Sequence, residues 1–246
     1  MIIIVLHSSL RIFNKSFFML RSLLCLSIIS LFISCSGNKE KGFIKQGRLE
    51  YKIVYLNAQE ANYDPSFLPK KMSLEFNQEY SINMIDGFMG LFKLGNITYF
   101  KKHRVKTHLK VLDKNYSFDG KRNEMMCCFD CLDGMILKED TATRVIGGLN
   151  SKRVEVSFKN KSDNYDIYYT NDIDLAYPNS TNPYHNISGI LTEFRLMMGP
   201  YLMEFTATKF DPERSPKEEM NVPADAVKVN REEMVAILNR LMEQNI

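Results

Sequence analysis

Three of the chain's five cysteines lie together, at Cys127, Cys128 and Cys131. Cys128 and Cys131 have the C-x-x-C spacing of a thiol–disulfide site. Such a site needs a strand–helix–strand surround, and the residues around it do not read as one. A zinc site needs four ligands, and the nearest histidines, His103 and His108, stand at no recognised zinc spacing. Buried thiols, or one structural disulfide in an oxidising compartment, is the plainer reading. Residues 101–110 (KKHRVKTHLK) are a second candidate. A basic run of this kind suits anionic lipid headgroups, lipopolysaccharide or an acidic partner; the alternative is a solvated strand pair with its turn. Asp172/Asp174, Glu218/Glu219 and Glu232/Glu233 are carboxylate pairs. Asp172 and Asp174 would share a strand face and could hold a cation, but nothing fixes a ligand shell, so solvated loop residues are the simpler reading. His185 has no evident Ser or Cys partner. There is no G-x-S-x-G, H-E-x-x-H, phosphate-loop or dinucleotide fingerprint. The expectation is a protein that is not an enzyme, with no cofactor, no catalytic residue and no metal.

The elements that would position these groups follow from periodicity. Leu49, Tyr51, Ile53 and Tyr55 alternate with Arg48, Glu50 and Lys52, the mark of a half-buried strand. Met72, Leu74 and Phe76 alternate with Lys71, Ser73 and Glu75. Residues 84–92 (MIDGFMGLF) are apolar, broken by glycine and without a clean period, and read as a strand edge, a flap or a lid. Further strands are expected at 97–100 and 107–112, then from 141 into the Gly147-Gly148 turn. Val154, Val156 and Phe158 mark another, as do Tyr165, Ile167 and Tyr169. A long loop over 175–184 holds Pro178 and Pro183. Phe194, Leu196 and Met198 lie on one face of the next strand, and Met203 and Phe205 on its return after Gly199-Pro200. Asn230 and Glu233 have capping-box spacing. Met234, Ile237, Leu238, Leu241 and Met242 then repeat at helical spacing.

Hydrophobic residues make up 45% and charged residues 25%, a globular composition. A net charge of +3 gives no case for nucleic acid. Trp is absent and Met occurs 14 times, which favours an adaptable core or apolar pocket.

The N-terminus carries a location signal. Arg11, Lys15 and Arg21 precede an apolar block from Leu23 to Ile33, shorter than the roughly 20 residues of a spanning helix. It reads as a removable signal, with a single-pass anchor as the alternative; Met19 is an alternative start to Met1. Leu31-Phe32-Ile33-Ser34-Cys35 resembles the lipobox of bacterial lipoproteins, in which a small residue precedes a cysteine that receives diacylglycerol. Phe32 departs from the usual aliphatic residue. The resemblance implies cleavage before Cys35, lipidation there and a membrane anchor through the acyl chains. The domain reading is 1–34 signal peptide, 35–42 lipidated Cys and tether, and 43–246 one mainly β domain.

Several stretches carry a wider resemblance: GRLEYKI from Gly47, LPKKMSLEF from Leu68, TRVIGGLNSKRV from Thr143, YYTNDI from Tyr168, NPYHNISGILTEF from Asn182 and NVPADAVKVNREEM from Asn221. In these the chain resembles a family of uncharacterised Gram-negative envelope lipoproteins, itself distantly similar to the LolA/LolB-type carriers. Where that family has a cysteine after its glycine turn, this chain has Lys152-Arg153, so no disulfide carries over. The resemblance implies a mainly β (α+β) fold: a curved antiparallel sheet or half-barrel with a C-terminal amphipathic helix. It also implies a lipid-anchored protein of the cell envelope, at the outer membrane, holding a lipid or other apolar ligand in a cavity. The candidate walls are Met84, Phe88, Met89, Phe92, Phe194, Leu196, Met198, Met203 and Phe205. The alternative is a structural lipoprotein with a filled core, no small-molecule ligand and an envelope protein as partner.

Overall fold

The computed structural model describes residues 44–57, 68–87, 90–130, 134–159, 161–216 and 220–243. The signal region, Cys35, Phe88, Met89 and Cys131 lie outside them. Among the described residues twelve strands form one sheet: β1 (Gly47–Tyr55), β2 (Lys71–Phe76), β3 (Tyr80–Asp86), β4 (Phe92–Tyr99), β5 (Arg104–Val111), β6 (Lys114–Asp119), β7 (Met135–Ile146), β8 (Leu149–Phe158), β9 (Lys161–Thr170), β10 (Ile190–Met198), β11 (Tyr201–Asp211) and β12 (Val227–Lys228). One helix follows, α1 (Arg231–Glu243). All belong to the unit from Phe43 to Ile246.

The sheet is two meanders joined along β1 and β11. On one side of β1 run β2, β3, β4, β5, β6 and β12; on the other run β11, β10, β9, β8 and β7. Neighbours are antiparallel except β12, which lies parallel to β6. Alternation sets the faces. Leu49, Tyr51 and Ile53 of β1 are buried on one face, while Arg48 and Glu50 pair with charges on the other. Register shifts interrupt the ladders at Glu50/Tyr51, Glu139/Thr143, Val156/Phe158 and Leu191/Glu193. Such bulges bend and twist a sheet. The β7–β8 turn thus lies against Ala207 of β11, although β7 is the far edge. Gly147, at φ 59°, makes that contact, and a side chain there would be strained by the backbone angle and crowd Ala207.

The inward face carries one core. Two long connections and the helix pack into it. Met126, Cys127, Cys128 and Phe129 come from the β6–β7 connection, and Ile173, Leu175, Tyr184 and Ile187 from the β9–β10 connection. Met234 and Leu238 of α1 complete it. Polar groups fasten these pieces. Thr98 and Thr181 share a buried hydroxyl contact of 2.9 Å. The Met126 N–H donates to the Thr181 carbonyl, and Asn179 Nδ2 donates to the carbonyls of Ile187 and Gly189.

β10 parts from β9 after the Glu193↔Tyr168 pair. Its freed carbonyls need donors. The Tyr184 hydroxyl donates to the Arg195 carbonyl at 2.6 Å, and the Asp130 N–H to that of Met197 at 2.9 Å. The other exposed edge is β7, whose bulge is held by Asp140 accepting from Arg153 Nε at 2.8 Å. That guanidinium keeps the Asp140 carboxyl below the usual carboxylate range. A bulge pinned by charge on an outer strand opposes edge-to-edge pairing.

Candidate functional site

A cavity of about 50 Å³ lies between the sheet and the two connections, lined on its apolar side by Tyr51, Phe129, Phe194 and Leu196. Ser81, Asn83, Asn179 and Asn182 put polar groups into the same space. A ligand pocket runs to roughly 300 Å³ or more, whereas a water needs only about 15 Å³ of such volume. Water fits this cavity, which is several-fold smaller than an ordinary ligand pocket. Around it the rings are locked. Phe194 stacks on Phe205 at 5.0 Å, Phe129 meets Phe205 edge-on at 6.3 Å, and Tyr51 meets Phe194 edge-on at 5.8 Å. The Tyr51 hydroxyl donates to the Leu191 carbonyl at 2.8 Å.

The expected wall residues divide. Phe194, Leu196, Met198, Met203 and Phe205 are brought together on the inward face, all buried. Phe92 packs at the margin of the same core. Met84 is on the opposite face, because β3 pairs with β2 in the register Leu74↔Asn83, which turns Asn83 inward and Met84 outward. Phe88 and Met89 fall outside the described residues.

Cys127 and Cys128 are buried free thiols. Hydrogen bonding to Cys127 and burial hold the Cys128 thiol well above its ordinary range. A protonated, buried thiol is a poor nucleophile. Cys128 also adopts φ 74°, in the left-handed region. The basic run 101–110 is the β4–β5 turn followed by β5. Lys101 and Lys102 are exposed at the turn, Arg104 pairs with Asp119, and His108 Nε2 contacts Asn115 Oδ1 at 3.0 Å. Asp172 accepts from the Asn150 N–H, and the Asp174 N–H donates to the Ile44 carbonyl. Among the described residues no three His, Cys, Asp or Glu side chains gather as a metal-sized group.

The larger space is outside. A groove of about 630 Å³ runs over the outward face of β2 to β6, closed on one side by Met220, Asn221 and Pro223. Its floor carries Ile82 and Met84, and charges from Arg48, Glu75, Asp86, Lys93 and Lys110. Gly95 admits the second wall: a side chain there would collide with the sulfur of Met220 and with Met84. Glu75 is taken by Arg48 at 2.6 Å and by Arg214 at 3.2 Å, and Asp86 by Lys93 at 3.3 Å. Sequence periodicity had no means to find this groove, since it joins strands with a segment more than 100 positions further on. The basic run holding His108 and Lys110 is the one signal that pointed toward it. No protein-family model matches the chain, and no curated protein matches it in sequence.

Proposed function

We propose that this is a lipid-anchored protein of the bacterial cell envelope, at the outer membrane, that is not an enzyme. Its sheet is a LolA-like half-barrel with a filled interior, and its outward surface engages an envelope protein partner. The reading rests on one observation: the cavity that the described residues enclose on the inward face holds about 50 Å³, part of it lined by Asn and Ser. A carrier cavity would be several-fold larger and predominantly apolar. The anchoring half of the reading is supported by the basic, apolar and Ser34-Cys35 pattern ahead of the sheet. Among the described residues no helix is long and apolar enough to cross a membrane.

Native mass spectrometry of the full chain, released from mild detergent after incubation with phospholipid, tests it. The expected spectrum has no non-covalent lipid increment that Ser81→Phe removes. A retained lipid-sized increment that disappears in Ser81→Phe, which blocks the interior cavity, overturns the filled-core reading and restores the carrier.

A further inference from the structure

The outward groove contains a charge that the described residues around it leave without an ion-pair partner. Across β3, β4, β5 and β6 the ladder registers place Asp86, Lys93, Lys110 and Asn115 in one row. Lys93 and Lys110 stand directly opposite each other. Like charges in that position repel and destabilise a sheet. Asp86 neutralises Lys93 at 3.3 Å, while Lys110 has no ion-pair partner among the described residues. Free hydrogen-bonding capacity beside it is weighted toward donors. Asn115 Oδ1 is engaged by His108, so its amide nitrogen is left to donate, and the carboxylates of Glu75 and Asp86 are already paired. Met84 and Met220 form walls on either side. A compact anion would cancel the Lys93–Lys110 repulsion and accept from both lysines and from Asn115.

From this row we infer that the groove is a binding site for a phosphate-class anion, either free or as the headgroup of a phospholipid. Lysine ammonium groups bind phosphate as point charges from a flexible stem, and a tetrahedral anion has enough acceptors for two lysines and an amide. The site is on the opposite face from the interior cavity and stands whether or not that cavity is filled.

Calorimetric titration of the full chain in mild detergent, with inorganic phosphate at constant ionic strength, is the test. Phosphate is expected to bind the native protein and to bind Lys110→Gln at least tenfold more weakly. Lys101→Gln, which removes the same charge from the distant β4–β5 turn, is expected to bind as the native protein does. Without phosphate, Lys110→Gln is expected to melt no lower than the native chain, since it relieves a repulsion. Soluble dihexanoyl phosphatidylglycerol forms the second arm. Competition between it and phosphate, lost in Lys110→Gln, assigns a lipid headgroup; binding of inorganic phosphate alone assigns a free anion. No binding of either probe, or equal weakening by Lys101→Gln, overturns the inference.

Discussion

Tyr184 stands where β9 and β10 part, and its phenol does there what a neighbouring strand would do. Burial holds its hydroxyl protonated, well above its ordinary range, and it donates to the Arg195 carbonyl while meeting the Tyr165 hydroxyl at 3.2 Å. Tyr184→Phe keeps the ring against Phe194 and removes the hydroxyl, and with it the donor to Arg195 and the contact with Tyr165. The expected loss is about 1–3 kcal/mol, the usual cost of leaving a buried acceptor unsatisfied, read as a lower urea midpoint at unchanged slope. An unchanged midpoint would mean that the Arg195 carbonyl finds another donor. Nothing in the order of residues announces this role, because the tyrosine and the carbonyl it serves are joined only once the β9–β10 connection has folded back. The cysteines show the complementary case. Their adjacency was visible in the chain, but their burial and the raised Cys128 thiol follow from the packing of the β6–β7 connection.

At the scale of elements, α1 was the most legible. Asn230 and Glu233 form the reciprocal pair that their spacing predicts: the Glu233 N–H donates to Asn230 Oδ1 at 2.8 Å and the Asn230 N–H to Glu233 Oε2 at 2.9 Å. Replacing Asn230 with Ala is expected to cost about 1 kcal/mol, measured by denaturant unfolding. Amide exchange should accelerate first in the opening turn of the helix. Exchange unchanged there would show that tertiary contacts of Met234 and Leu238 hold the turn without its cap. β1, β2 and stretches of β8, β10 and β11 were legible for a similarly local reason: apolar residues alternate there with polar ones. β3 was not, because its polarity is reversed over part of its length. Ser81 and Asn83 face inward toward the small cavity, and Ile82 and Met84 face outward into the groove. β4 and β5 bury Asn96, Thr98 and Thr107, with Thr107 donating to Asn96 at 2.6 Å, which blurs their alternation and made them read shorter than they are. β6 was also missed, and β12 spans only two residues, too few for any period.

For the molecule as a whole, the energetics rest on the inward core shared by both meanders. Phe205 is fully buried at its centre, stacked on Phe194 and met edge-on by Phe129. Phe205→Ala is expected to destabilise by about 3–5 kcal/mol, the transfer term plus the cavity left behind, in equilibrium unfolding. A loss below about 1 kcal/mol would mean that the interior collapses around the gap and is looser than its ring contacts imply. By itself the sequence determined that this chain makes a mainly β structure followed by one amphipathic helix, because alternation, turn glycines and a capping box are local signals. Only the tertiary structure decided which face each strand presents, and so that Met84 lines an outer groove while Phe194 and Phe205 fill the interior. It also decided that Lys93 and Lys110 stand opposite one another. Those outcomes depend on register between strands and on how two long connections fold back, and a one-residue change of register exchanges the two faces of a strand.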